Sequence, residues 1–286
     1  MTNLYDETKF IMKQYGIKAN KSLGQNFLVN GEVVENIINC SKITQNDMVI
    51  EIGPGLGVLT KYLLEKAGKV LCIELDPKMV EILEDRFKLY SNFEILNEDV
   101  LKVDLNEIIR KNKMSDNIKN VKIVANLPYY ITTPIIMKLL EERLDIESIT
   151  IMIQKEVADR LIEIPSQKNT GAITYTVYYY CESEKIMEVP NSSFIPEPEV
   201  TSEVIKMNIR KKPAVEIDNP KVMFMIIKSA FMQRRKTLLN ALTNAQVFSS
   251  KQEGENILKQ IGLEPNVRAE NLTIQNYADI AEIITK

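Results

Sequence analysis

Histidine and tryptophan are both absent from the 286 residues. Without an imidazole, Ser-His-Asp and Cys-His mechanisms and a histidine general base are excluded. Without an indole, aromatic stacking on any ligand falls to the 11 Tyr and 8 Phe. Cys40, Cys72 and Cys181 are odd in number and far apart, which argues against a disulfide framework and against a zinc site. No apolar run approaches the length needed to cross a bilayer. The stretch Met1 to Lys13 mixes Asp6, Glu7, Lys9 and Lys13, so it does not read as a secretory signal. A cytoplasmic protein with no membrane partner and no metal is expected.

What remains is ordinary in bulk and uneven in detail. Hydrophobic residues make up 45% of the chain and charged residues 26%, as in soluble globular proteins. The length suits one large domain with a smaller appendage. The net charge of −3 gives no hint of a nucleic-acid partner, but its distribution does: residues 206–240 hold nine Lys/Arg against only Glu216 and Asp218, a local excess of +7.

The chain is organised around Val49 to Thr60. Met48 to Ile52 reads as a short buried strand, ending at the first of three alternate glycines, Gly53, Gly55 and Gly57, with helical spacing from Leu59 onward. Strand, glycine turn and helix start bring bare backbone up to a ligand beside a helix N-terminus. Glu74 ends the next strand, 21 residues beyond Gly53, where a carboxylate suits the hydroxyls of a ribose; pairing with a surface Lys is the alternative. A dinucleotide fingerprint counted from Gly53 needs its third glycine at position 58, which holds Val58. The pattern E-x-G-x-G-x-G from Glu51 instead resembles the first motif of S-adenosylmethionine-dependent methyltransferases, which cradle no pyrophosphate.

Strands are expected at 48–52, 70–74, 93–97, 121–125 and 148–153, and helices near 58–67, 77–90, 104–112, 133–143 and 154–164. This alternation predicts a doubly wound α/β sheet. Ahead of it lie a short helix from Tyr5 to Tyr15, a polar loop through residues 18–28, and a helix from Glu32 to Cys40 that Asn30 caps. Asp76-Pro77 opens a helix as N-cap and first helical residue. Asp99, past the strand at 93–97, either accepts a hydrogen bond from an adenine amine or caps the following helix; its position allows both. Residues 172–182 and 200–209 read as strands pairing in an antiparallel edge hairpin, with a proline-rich connection around Pro190, Pro196 and Pro198. From Asn219 the pattern is helical only, near 220–231, 236–246, 251–261 and 273–285. The expected division is 1–212 for the α/β domain and 213–286 for a small all-α C-terminal domain.

The strand at 121–125 ends in Asn126-Leu127-Pro128-Tyr129-Tyr130. Amide, rigid proline and aromatic together suit methylation of an exocyclic amine, whose lone pair is delocalised into the base. Accepting both N–H groups, through the Asn126 side chain and a backbone carbonyl at Leu127 or Pro128, favours a pyramidal nitrogen. Tyr129 then stacks on the flipped-out base.

Residues 21–28 (KSLGQNFL), 51–57 (EIGPGLG), Glu74, 98–100 (EDV), 126–134 (NLPYYITTP), 152–160 (MIQKEVADR), 194–198 (FIPEP) with Val200 and Ser202, and 231–239 (FMQRRKTLL) resemble, in order, the ribosomal RNA adenine dimethyltransferases. The Asn-Leu-Pro-Tyr motif and the helical C-terminal region are most similar to the branch that modifies the small-subunit (16S) RNA. The resemblance implies a Rossmann-like class I methyltransferase fold and S-adenosylmethionine as cofactor. It implies dimethylation at N6 of two adjacent adenosines in the 3′-terminal hairpin of 16S rRNA, within the small subunit or its precursor, by a monomer. It assigns Gln25, Asn26, Leu28, Gly53, Gly55, Gly57, Glu74, Leu75, Asp99, Val100 and Asn126 to the cofactor. It assigns Asn126, Leu127, Pro128, Tyr129 and Phe194 to the target base, Phe194 as a second stacking face or else a loop anchor. Gln233, Arg234, Arg235 and Lys236 are implied RNA-backbone contacts rather than a solvated helix face. No general base is implied, since a methylated, cationic N6 is acidic enough to release its proton to solvent.

Overall fold

The computed structural model describes residues 3–20, 24–115, 118–167 and 169–285. Contacts divide the chain into two compact units: Met1–Ala158 with Glu184–Ile209, and Asp159–Ser183 with Arg210–Lys286.

In the first unit, α1 (Leu4–Gln14), β1 (Phe27–Leu28) and α2 (Gly31–Ser41) precede the sheet. Asn30 caps α2 as expected, its side chain accepting from the backbone of Glu32 and Val33. There follow β2 (Asp47–Ile52), α3 (Val58–Lys66), β3 (Lys69–Glu74), α4 (Pro77–Phe87), β4 (Phe93–Asn97), α5 (Leu105–Ser115), β5 (Asn120–Asn126), α6 (Thr132–Glu141), β6 (Ser148–Gln154) and α7 (Lys155–Ile162). Then, after α8 (Ala172–Tyr180) of the second unit, come β7 (Cys181–Val189), β8 (Phe194–Ile195) and β9 (Ser202–Ile209). The seven-stranded sheet has the order β4-β3-β2-β5-β6-β9-β7. Strands β4 to β6 are joined in parallel, and β9 runs antiparallel to β6.

Every residue of β2 is buried, as helices on both faces of a parallel sheet demand. The strand order reverses between β2 and β5, so the crevice at their carboxyl ends is where a doubly wound sheet takes its ligand. At the opposite end the buried Lys122 ammonium is satisfied by Asp47 Oδ2 at 3.0 Å and the Lys42 carbonyl at 2.6 Å.

One expected strand is a helix. Residues 172–180, read as an edge strand from their Thr, Val and Tyr content, form α8, and the strand beside β9 is Cys181–Val189 instead. Tyr175 and Tyr179, four residues apart, share a helical face. Tyr175 packs on Phe231 and Tyr277 with ring centroids 5.6 and 5.0 Å away, and Tyr179 on Phe224 at 5.2 Å. The Tyr175 hydroxyl donates to the Leu272 carbonyl at 2.6 Å. Burying these rings against helices outweighs a β-propensity that spans only about 1 kcal/mol.

In the second unit, α8 joins α9 (Pro220–Met232), α10 (Leu238–Asn244), α11 (Lys251–Gln260) and α12 (Ile274–Thr285). Their common core includes Tyr175, Met223, Ile227, Leu238 and Tyr277. The C-terminal helices stand within a few residues of the expected bounds.

Candidate active site

The turn after β2 is built from backbone that side chains rarely allow. Gly53, Gly55 and Gly57 have φ of 64°, 57° and 78°, the left-handed region open to glycine. Two side chains hold the turn. Arg86 donates to the Leu56 carbonyl. Glu74 Oε2 accepts the Gly55 N–H at 3.1 Å, while Oε1 accepts the Asp76 N–H at 2.9 Å. Burial pushes the Glu74 carboxyl above its usual range, and those two N–H donors oppose the rise. Asp76 caps α4 as expected, at 3.0 Å from the Lys78 N–H.

A cavity open to solvent lies at the carboxyl ends of β2, β3 and β5. Its wall includes Gln25, Asn26, Leu28, Gly53, Gly55, Glu74, Leu75, Asp99, Val100, Asn126, Leu127, Pro128 and Tyr129. Assigned residues as far apart as Gln25 and Tyr129, 104 positions, thus reach one cavity, and of those expected at cofactor and target base two do not. Gly57 is off the wall. A Cβ there would meet Phe87 at 2.6 Å and Leu83 at 2.7 Å, so its missing side chain serves the approach of α3 to α4. Phe194 is also off the wall. It is 2% exposed, packed among core residues, and paired with Leu28 where β8 meets β1, so it stands here as the loop anchor.

Asn126 Nδ2 donates to the Asn26 carbonyl at 3.3 Å. That bond fixes which end of the amide is the donor and leaves Oδ1 as an acceptor with no partner among the described residues. The Pro128 carbonyl is taken by the Ile131 N–H at 3.2 Å and the Thr132 hydroxyl at 3.1 Å. Of the two backbone carbonyls considered, that of Leu127 is the one without a described donor. Asp99 Oδ1 accepts the Leu101 N–H at 3.0 Å, capping the next turn, and the residue also lines the cavity, with Oδ2 to spare. Gln25 is occupied in holding its loop, donating to Asp76 Oδ2 at 3.0 Å and accepting from the Asn20 N–H at 2.9 Å. Residues 21–23 of the same motif lie outside the described residues.

Two other wall residues stand inside the quoted motifs but were assigned no role at the site. Glu51 lies under the turn, its Oε2 accepting from Thr60 Oγ1 at 2.6 Å and from the Cys72 thiol at 3.5 Å. Complete burial raises its pKa to about 7. Tyr130, 57% exposed, sits at the mouth, where a Cβ on Gly24 would come within 3.3 Å of its ring. Both are themselves members of those motifs, which was the available signal. The Tyr129 hydroxyl stands 2.5 Å from Ser202 Oγ, 73 residues away. Burial raises the Tyr129 pKa, so the phenol stays protonated.

In the second unit Gln233 to Lys236 form the turn between α9 and α10 rather than a helix face. Arg234, Arg235 and Lys236 are exposed, and Arg234 donates to the Thr170 carbonyl at 3.2 Å.

A family model described as ribosomal RNA adenine dimethylase matches residues 16–286. A ribosomal RNA small subunit methyltransferase A from Alkaliphilus metalliredigens is 45% identical over 276 residues, covering 96% of this chain and 95% of that protein. One of the same name from Bacillus pumilus is 42% identical over 281 residues, covering 98% and 96%. A dimethyladenosine transferase from Plasmodium falciparum has a similar structure, with a TM-score of 0.73 and 26% identity over 89% of this chain and 95% of that one.

Proposed function

This chain belongs to the ribosomal RNA adenine dimethylase family, and from that premise we propose that it dimethylates N6 of two adjacent adenosines in the 3′-terminal hairpin of small-subunit RNA, using S-adenosylmethionine. It is a methyltransferase with the class I, Rossmann-like sheet expected of it. The observation that carries the finer reading is the amide of Asn126 on the cavity wall, its Nδ2 donating to the Asn26 carbonyl and its Oδ1 without a partner among the described residues.

The residues fit the cofactor. Glu74 spends one lone pair of each oxygen on a backbone N–H and keeps the others for two ribose hydroxyls. Leu75 and Val100 offer apolar flanks for a flat base, with Asp99 Oδ2 as acceptor for its amine. Bound there, S-adenosylmethionine supplies an electrophilic methyl group on a sulfonium.

The chain's own part is orientation and polarity. Asn126 Oδ1 and the Leu127 carbonyl accept the two N6–H groups and draw the lone pair out of conjugation. Tyr129 covers the face of the extruded base. Such positioned dipoles act on the charge that develops during transfer and need no reorganisation. The proton leaves the methylated amine to solvent, in keeping with a chain that has no histidine. Gln233, Arg234, Arg235 and Lys236 contact RNA backbone in this reading, and the small ribosomal subunit or its precursor is the partner.

Tritiated-methyl transfer to undermethylated small subunits, followed by nucleoside analysis, tests this. N6,N6-dimethyladenosine in the small-subunit RNA is the expected product, and label on another nucleoside or on large-subunit RNA overturns the assignment.

A further inference from the structure

Helix α9 turns one narrow stripe to solvent. Of its 13 residues only Lys221, Met225, Lys228 and Met232 are exposed, and all the others are buried or half-buried. Intervals of four, three and four residues place these four within an arc of about 60°, in a strip roughly 16 Å long. We infer that this stripe is a docking track for an RNA phosphodiester backbone, continuous with the turn Gln233–Lys236; the inference rests on reading ribosomal RNA as the substrate.

Three observations separate it from an ordinary solvated face. First, α9 contains no acidic residue, and neither Lys221 nor Lys228 enters an ion pair among the described residues. Lysines on other helices do pair, Lys138 with Glu142 at 2.5 Å and Lys61 with Glu7 at 3.3 Å. Secondly, Lys221 stands in the first turn, where a cation opposes the helix dipole and an acid is favoured. Its charge works against the helix and serves something outside it. Thirdly, the alternating positions are methionines, 45% and 77% exposed, where a face made only for water has polar side chains. A polyanion lined with apolar sugar edges suits all three: ammonium groups about 10 Å apart along the axis reach separate phosphates, and flexible thioethers fit between them. The strip then runs into Arg234, Arg235 and Lys236, which are exposed as well.

The test is filter binding of wild type and of the Lys221→Ala/Lys228→Ala protein to undermethylated small subunits across a salt series. Two lost phosphate contacts lower the log–log salt slope by about 1.5 and weaken binding about tenfold or more near 100 mM salt. Met225→Glu/Met232→Glu is expected to weaken binding as well. S-adenosylmethionine affinity by calorimetry and thermal midpoint remain those of wild type, because all four side chains are exposed. Parallel salt lines overturn the track, whether affinity is unchanged or reduced; a reduction without a slope change points to a ribosomal protein as the contact. Dimethyladenosine formed by wild type on the same subunits is scored separately. A slope change without product sinks the proposed activity and leaves the track standing.

Discussion

Glu51 and Glu74 are two carboxyls under one glycine turn, both with raised pKa values and with opposite duties. Glu74 lines the cavity and is the proposed ribose acceptor, and Glu74→Gln keeps one acceptor oxygen while losing the charge. Cofactor affinity should fall by about 1.5–3 kcal/mol, the range for hydrogen bonds to charged groups, and calorimetry reads it directly. Wild-type affinity in the mutant would remove Glu74 from the ribose. Glu51 acts on stability. Its folded pKa of about 7 lies above the ordinary glutamate value of 4.5, so between those values the folded state keeps a proton the unfolded chain has released. The stability it contributes is therefore complete below pH 4.5 and lost as pH rises through about 7. Glu51→Gln has no such titration and can keep the Thr60 bond. The unfolding free energy of wild type minus that of the mutant should drop by on the order of 2 kcal/mol between pH 5 and 8. Denaturant melts at both pH values measure it, and a constant difference refutes the buried proton.

Contacts between elements decide what the single residues cannot. Tyr129 follows β5, and its hydroxyl meets Ser202 at the start of β9. Removing the ring with Tyr129→Ala should cost roughly 1–3 kcal/mol of stacking and slow transfer severely, with cofactor binding near normal. Tyr129→Phe keeps the ring but releases its edge, so a smaller loss is expected, matched by Ser202→Ala. Two changes that break one bond should not add, and the double mutant should transfer methyl groups no more slowly than either single one. Full additivity in single-turnover rates would show that the hydroxyl and Ser202 act apart. This contact was not legible in the sequence, because it depends on a sheet register joining residues 73 apart. The strands β2 to β6 were legible within a residue or two, since continuous apolar runs bounded by Gly, Pro and Asp have few other readings. Helix α8 was not, because its Tyr and Thr run carries the composition of a strand and only the aromatic neighbours that come later in the chain make it helical. For Phe194 the motif left two readings open, because it tells which residues travel together and not how a ring is packed; here the ring is buried among core residues.

At the scale of the whole molecule, charge and connectivity are both uneven. A net charge of −3 conceals a +7 stretch at residues 206–240, and solvent exposure separates those of its cations open to a partner from the rest. Lys206 illustrates the difference: it is buried and donates to the Cys40 carbonyl at 2.7 Å. The expected boundary near residue 212 followed the change of composition toward a helical tail. It had no means of showing that residues 159–183 cluster with that tail. A fragment ending at residue 212 therefore keeps Tyr175 and Tyr179 and lacks Phe231, Phe224 and Tyr277. It is expected to bind hydrophobic dye and sediment as aggregates, while the same fragment with 159–183 replaced by a short flexible linker remains monomeric. Equal behaviour of the two would show that α8 needs none of those rings.

The interleaved chain has a consequence for its own synthesis. As it leaves the ribosome, α8 appears before every helix that will cover it, and β9 appears after β7, its neighbour at the sheet edge. The nascent protein must carry the bare tyrosine face of α8 until at least α9 and α12 are made, at a synthesis rate of about 5–20 residues per second. Several seconds of exposure are thus built into the gene's order, and slowing translation between the codons for α8 and α12 should lower the soluble yield.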